Sequence, residues 1–243
     1  MKFLVPIAAI AVVLSGCNWS SSDDREARDV GPAVGRDYQV GAFDRIEVAG
    51  PYEVSVVTGK QPKVSARGGE AILAETDIRV EGGVLKIGPK RKNGFRWNMG
   101  RDGKVAVKVS AASLRGAEIA GSGGVTIDRV AGPDFKGEVA GSGDLRIDRV
   151  EGGRWDLAIA GSGEVRASGK AEALDLSIAG SGDVDVSGLE VVTADISIAG
   201  SGNVRARATG TADVSIMGSG DVEVSGGAKC AVSKAGSGNV TCS

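Results

Sequence analysis

The triplet Gly-Ser-Gly occurs seven times in this chain, starting at Gly121, Gly141, Gly161, Gly180, Gly200, Gly218 and Gly236. Successive triplets lie 18 to 20 residues apart. A fixed period of that length marks stacked units, each too small to bury its own apolar face. The surrounding frame also repeats, as in Asp175-Leu-Ser-Ile-Ala-Gly-Ser-Gly-Asp-Val-Asp-Val186. Before the triplet, Leu157/Ile159, Leu176/Ile178, Ile196/Ile198 and Val214/Ile216 alternate with Asp156/Ala158, Asp175/Ser177 and Asp195/Ser197. After it, Leu145/Ile147, Val165/Ala167, Val184/Val186, Val204/Ala206 and Val222/Val224 flank the outward Arg146, Arg166, Asp185, Arg205 and Glu223. Period two means strand, so each unit is two short strands joined at a glycine corner.

A meander or sandwich and a parallel β-helix both accommodate such strands. Column identity favours the helix. Ile119, Val139, Ile159, Ile178, Ile198 and Ile216 recur at one position, and Ala120, Ala140, Ala160, Ala179 and Ala199 at the next. Stacking in register produces such columns, and a sandwich does not require them. Seven turns would give a rod about 34 Å long. Composition agrees with a narrow strand core. Aromatics are 4% while apolar residues are 42%. The 39 glycines follow no three-residue period, and six prolines are too few for a Pro/Gly-rich disordered chain.

Residues 42–110 keep the frame less strictly. Arg45-Ile-Glu-Val-Ala-Gly-Pro-Tyr-Glu-Val-Ser-Val-Val57 has Gly50-Pro51 at the corner, and Lys63–Ala66 and Val84–Ile87 also alternate as strands. Ala71–Glu75 is a helical turn or a bend. This stretch is expected to form degenerate starting turns of one solenoid with a long insertion near Asn93. Residues 111–243 form its regular turns.

The N-terminus has a different character. Residues 1–16 place Lys2 before an apolar run from Phe3 to Leu14, too short to span a bilayer comfortably. Leu14-Ser15-Gly16-Cys17 resembles the bacterial lipobox, which implies cleavage before Cys17 and acylation of its thiol. An ordinary cleaved signal is the alternative. Asn18 differs from the Asp associated with inner-membrane retention, so the expected location is the outer membrane. Cleavage removes one lysine, leaving 28 Lys and Arg against 31 acids, a charge of −3. Residues 17–41 carry SSSDDREARD without hydrophobic period and are expected to be a flexible tether. Fully extended, it would reach roughly 80 Å.

Phe43-Asp-Arg-Ile-Glu-Val-Ala-Gly-Pro-Tyr-Glu-Val-Ser-Val, Gly83-Val-Leu-Lys-Ile and the Ile-Ala-Gly-Ser-Gly-Asp-Val units together resemble the head GIN domain family of adhesin-type bacterial envelope proteins. The match runs from about residue 42 to the end. The resemblance implies a right-handed, single-chain parallel β-helix in an exported Gram-negative protein. It carries over no catalytic residue.

The chain has no histidine, so the commonest general base and transition-metal ligand is missing. A net charge of −2 gives no bulk attraction to nucleic acid. Asp144, Glu164, Asp183, Asn203, Asp221 and Asn239 follow the triplets. A calcium ladder would use such oxygens, but one acid per turn is sparse and the asparagines lower the charge. Capping of corner N–H groups is the favoured role. The serine column, Ser122 to Ser237, has neither the strand-to-helix turn nor the histidine of a nucleophile elbow. Stacked hydroxyls are expected to bond along the rod instead. Cys230 and Cys242 align with the inward Ala212 and Val224. In an oxidising compartment they are expected to form a disulfide stapling the last turn. Finally, Lys90, Arg91, Lys92, Arg96 and Arg101 surround Phe95 and Trp97, a cluster able to stack on sugars and pair anions. A solvated loop is its structural alternative.

These features point to a non-enzymatic envelope module for binding or adhesion, with a glycan, lipopolysaccharide or protein as ligand and no cofactor or metal. Two alternatives stand beside it. One is a scaffold that self-associates through solenoid ends, since the sequence reaches Ser243 with no evident capping helix. The other is a carbohydrate-active β-helix enzyme.

Overall fold

The computed structural model describes residues 30–90 and 104–243, and nearly all of them are strand. Each repeat places one strand on either side of its Gly-Ser-Gly corner, and equivalent strands pair in parallel. The face before the corner contains β2 (Arg45–Ala49), β8 (Gly116–Gly121), β11 (Asp134–Gly141), β13 (Arg154–Gly161) and β15 (Ala173–Gly180). It continues through the C-terminal parts of β16 (Asp183–Gly200) and β17 (Val204–Gly218) to β19 (Lys229–Gly236). Register is exact in kind: Gly121 pairs with Gly141, then Gly161, Gly180, Gly200, Gly218 and Gly236 follow in turn. The face after the corner runs from β3 (Tyr52–Thr58) through β9 (Gly124–Ile127), β12 (Asp144–Glu151), β14 (Glu164–Lys170) and the N-terminal parts of β16 and β17. It ends with β18 (Val222–Ser225) and β20 (Val240–Cys242). A short third face begins at β10 (Val130–Ala131) and joins the middle of each later turn. The chain is thus a β-solenoid with about 20 residues per turn.

The corners explain the glycines. At Gly180 the backbone has φ 127°, and a Cβ there would lie 2.4 Å from the Gly161 carbonyl oxygen of the turn below. That carbonyl accepts the Ser181 N–H at 2.8 Å, and the Gly180 carbonyl accepts Ser201 N–H at 2.8 Å. Only a residue without a side chain lets successive turns approach so closely. The serine hydroxyls do not bond along the rod as expected. The inter-turn bonds at the corner come from serine backbone N–H groups. The hydroxyl points outward while the peptide faces the next turn.

The start of the solenoid departs from the expectation of simple degenerate turns. β2 and β3 form its second layer. The first layer is β6 (Val84–Pro89) and β7 (Val105–Ala111), which pair in parallel with β2 and β3 from the opposite side to β8 and β9. The chain therefore starts one layer in, moves outward, and returns. Gly82 and Gly83, with φ 60° and 77°, reverse it so that β5 (Thr76–Glu81) lies antiparallel to β6. On the other face β4 (Lys63–Gly69) is antiparallel to β7, and β1 (Ala33–Tyr38) is antiparallel to β4. Residues 33–38, within the expected tether, are therefore a strand of the folded body. Val34 and Tyr38 of β1 pack against the core. Helix α1 (Glu70–Glu75) buries Ile72 and Leu73 at this end. Antiparallel strands and a helix extend this end beyond the parallel layers, with β1 and β5 as its outer strands.

Inside, the columns are filled. Trp155 is 1% exposed and stacks on Phe135 with ring centroids 4.5 Å apart. Gly137 is buried in the same strand as Phe135, and a Cβ there would meet Leu157 Cδ2 at 2.8 Å and Leu145 Cδ2 at 2.9 Å. At the last turn Cys230 of β19 and Cys242 of β20 are disulfide-bonded, with Cα atoms 6.6 Å apart. They stand opposite Ala212 and Val224.

Candidate functional site

With the inward side chains buried, the outer faces are the surface open to solvent, and alternate residues of each strand form columns there. Along the face after the corner, two columns bound an open groove of about 710 Å³. One wall is a ladder of Asp183, Asn203, Asp221 and Asn239. The Asn203 backbone N–H and side-chain amide both donate to Asp183 Oδ1, at 3.1 and 2.9 Å. Asn203 Oδ1 accepts the Asp221 N–H at 3.3 Å. Asp221 Oδ1 in turn accepts from Asn239, at 2.9 Å from the backbone and 3.3 Å from the amide. Alternating carboxylate with carboxamide lets every rung hold the next without stacking like charges. These side chains do cap corner N–H groups, but those of the following turn rather than their own. Among the described residues no group of three or more acids, cysteines or histidines converges to hold a metal.

The other wall carries Arg166, Asp185, Arg205 and Glu223 in successive turns. Its charges are paired: Arg166 with Glu164, and Arg205 Nε with Glu223 at 3.9 Å. The Ser187 hydroxyl, 2.6 Å from Asp185 Oδ1, lowers the Asp185 pKa, and the Ser187 N–H, Arg205 and Arg166 act in the same direction. Asp185 is thus held as a carboxylate in the groove.

The face before the corner has another character. Ala140, Ala160, Ala179 and Ala199 form a small-residue column that continues through Met217, which is 69% exposed, to Ala235. Ser177, Ser197 and Ser215 lie beside it, and together these line a shallow apolar hollow of about 540 Å³. At the far side Asp156, Asp175, Asp195 and Asp213 stack in register.

Of the residues singled out in the sequence, Lys90 is described and exposed, its Nζ donating to the Ala74 carbonyl at 2.6 Å. Arg91, Lys92, Phe95, Arg96, Trp97 and Arg101 lie outside the described residues, as does Cys17. The segment containing the cluster joins Pro89 of β6 to Val105 of β7. It occupies the chain position that Gly50-Pro51 takes between β2 and β3. The two-walled groove was not anticipated as a unit. Reading the outward residues down each column, rather than along the strand, is the signal that locates it.

The fold is a single-chain β-solenoid whose outer faces carry columns of repeated side chains. Residues 42–228 match the family model described as "Putative auto-transporter adhesin, head GIN domain", and the chain belongs to that family. No curated protein matches the sequence. Among solved structures, a putative adhesin from Bacteroides fragilis is 21% identical with a TM-score of 0.79, covering 87% of this chain and 97% of its own. A putative adhesin from Parabacteroides merdae is 20% identical with a TM-score of 0.66, covering 88% and 97% respectively. A protein from Parabacteroides distasonis described as lipid-binding is 23% identical with a TM-score of 0.64, again covering 88% and 97%. At these identities the likeness is one of fold.

Proposed function

We propose that this protein is a non-catalytic adhesion module of the bacterial cell envelope, lipid-anchored through Cys17 in the outer membrane, that binds an envelope polysaccharide along its side. The observation that carries the reading is the groove of Asp183, Asn203, Asp221 and Asn239 facing Arg166, Asp185 and Arg205. Its polar groups recur once per turn, about every 4.8 Å along the axis. A linear polymer lying along that axis meets an equivalent set of donors and acceptors at each step. The family's adhesin description agrees with binding rather than turnover. The basic cluster Lys90 to Arg101 is a second contact for the anionic groups of lipopolysaccharide.

The test uses the full chain carrying Cys17→Ser, passed over immobilised lipopolysaccharide and neutral envelope polysaccharide. Two variants accompany it, one lacking residues 90–101 and one carrying Asp183→Lys with Asp221→Lys. Retention lost with the groove substitutions supports the polysaccharide reading. Retention lost only with the deletion moves the site to the basic cluster. No retention of any form refutes a glycan ligand. Mass spectrometry of the mature N-terminus tests the lipid on Cys17.

A further inference from the structure

The groove changes charge from one layer to the next. Outward residues two apart on one strand form a rung across it. In β14 the rung is Glu164 with Arg166, an ion pair. In β16 it is Asp183 with Asp185, and in β17 Asn203 with Arg205. In β18 it is Asp221 with Glu223. The formal charges of these four rungs are 0, −2, +1 and −2, so five carboxylates against two guanidiniums leave −3. The following rung, Asn239 with Thr241, is uncharged. Strands repeat once per turn, but the acidic rungs repeat every second turn, about 9.6 Å along the axis. The ladder engages Oδ1 of Asp183 and Oδ1 of Asp221. Among the described residues no hydrogen bond or ion pair reaches their second oxygens, and both residues are exposed. Each carboxylate therefore keeps lone pairs for a further donor.

We propose that the polymer held in this groove carries ammonium groups at alternate positions on one side, as an amino-sugar polysaccharide with free amines does. The proposal rests on the polysaccharide reading above and narrows it. Two carboxylates on one rung repel each other, and a cation between them turns that repulsion into attraction. The intervening rung, with Arg205, repels a cation and instead offers donors to hydroxyl groups. In a β-1,4-linked chain successive rings turn over, so every second amine faces the same side. A chain laid along the axis then presents one amine to Asp183 and Asp185 and the next amine on that side to Asp221 and Glu223. An ammonium brings three donors and a charge to each acidic rung. N-acetylation removes the charge and leaves one N–H. A uronic-acid polymer meets a groove of its own sign. Each acidic rung holds only two carboxylates, and no group of three or more metal-ligating side chains gathers among the described residues, so the rungs suit an ammonium better than a divalent cation.

Calorimetric titration of the Cys17→Ser chain tests the proposal, with a soluble chitosan oligomer and the same oligomer fully N-acetylated as probes. The free-amine oligomer is expected to bind roughly tenfold tighter, with an affinity that falls as salt is added. Asp183→Asn with Asp221→Asn keeps the shape of the ladder and removes two charges. It is expected to weaken the free-amine oligomer roughly tenfold and to leave the N-acetylated one unchanged. Asp175→Asn with Asp195→Asn removes the same charge from the other face and is expected to change neither affinity. Thermal melts confirm folding. If the groove pair melts below the parent, Glu223→Gln replaces it with about a threefold loss as the criterion, since its contact with Arg205 is 3.9 Å. Equal affinity for the two oligomers overturns the proposal; if that binding is lost with Asp183→Lys and Asp221→Lys, the polysaccharide reading stands without it. A control pair that weakens binding as much as the groove pair overturns it as attraction to bulk charge. Binding abolished by a chelator overturns it in favour of a bridging metal ion. Binding of neither oligomer also overturns it, and the retention experiment on envelope polysaccharide then decides the wider reading separately.

Discussion

Replacing Gly180 by alanine tests the corner architecture most directly. Two costs add. The first is backbone strain, because φ is 127°, a region costing an L residue about 1–3 kcal/mol. The second is contact, because the new Cβ lies 2.4 Å from the Gly161 carbonyl oxygen. Either the corner or the turn below must shift, weakening the Ser181 N–H bond to that oxygen, a loss of about 1 kcal/mol. The expected destabilisation is about 3 kcal/mol, or roughly 6–12 °C in melting midpoint for a body of this size. Two companions separate the causes. Gly59 also has positive φ, 77°, but nothing within 4 Å of its would-be Cβ. Gly59→Ala therefore reports strain alone, about 1 kcal/mol. Ser181 is exposed, so Ser181→Ala should stay within about 0.5 kcal/mol of the parent. Denaturant unfolding followed by circular dichroism gives all three values. Repeat proteins can lose cooperativity, so a second probe must give a coincident transition. A Gly180→Ala melt within about 2 °C of the parent would refute the close-approach argument, since even 1 kcal/mol should shift it that far.

Two further perturbations test the ends of the same reasoning. Asn203→Asp replaces a carboxamide rung with a carboxylate between Asp183 and Asp221 and removes the 2.9 Å amide donor; the expected loss is about 1 kcal/mol. Crowding by like charge raises the folded pKa of the introduced carboxyl above its unfolded value. The penalty is therefore present at neutral pH and disappears as pH falls through the carboxylate range, which denaturant midpoints at neutral and acid pH will show. Cys230→Ser with Cys242→Ser opens a bridge spanning 12 residues, worth about 3 kcal/mol in the chain-entropy model. Because turns contact mainly their neighbours, hydrogen exchange at 229–242 should accelerate by about two orders of magnitude while central turns change little.

The residues that form the groove were visible before the structure, but their relation was not. Asp183, Asn203, Asp221 and Asn239 follow consecutive triplets, and alternation places them outside. That the side-chain oxygens of Asp183, Asn203 and Asp221 each reach the N–H of the next turn depends on register, and the 18- and 20-residue spacings do not reveal which atoms meet. Lys234 was hidden for a different reason. A lysine in the seventh repeat looks like the fraying of a pattern, and only the register places it directly opposite Ile216. The basic cluster around Trp97 was conspicuous in sequence, yet its residues from Arg91 to Arg101 lie outside the described structure, so its part in binding rests on the retention experiment.

The sequence by itself determined the repeating unit: strand, glycine corner, strand, and identical side chains in register. Period-two alternation and positive-φ glycine are local properties, legible within a dozen residues of Gly180. Tertiary structure alone decided the order and direction of the first layers. Alternation in Lys63–Ala66 and Val84–Ile87 is the same whether a strand pairs parallel or antiparallel, and it does not say which neighbour it joins. The Gly82-Gly83 reversal, the burial of Ile72 and Leu73, and the pairing of β1 with β4 settled that, because the apolar interior of an end layer must be buried against something.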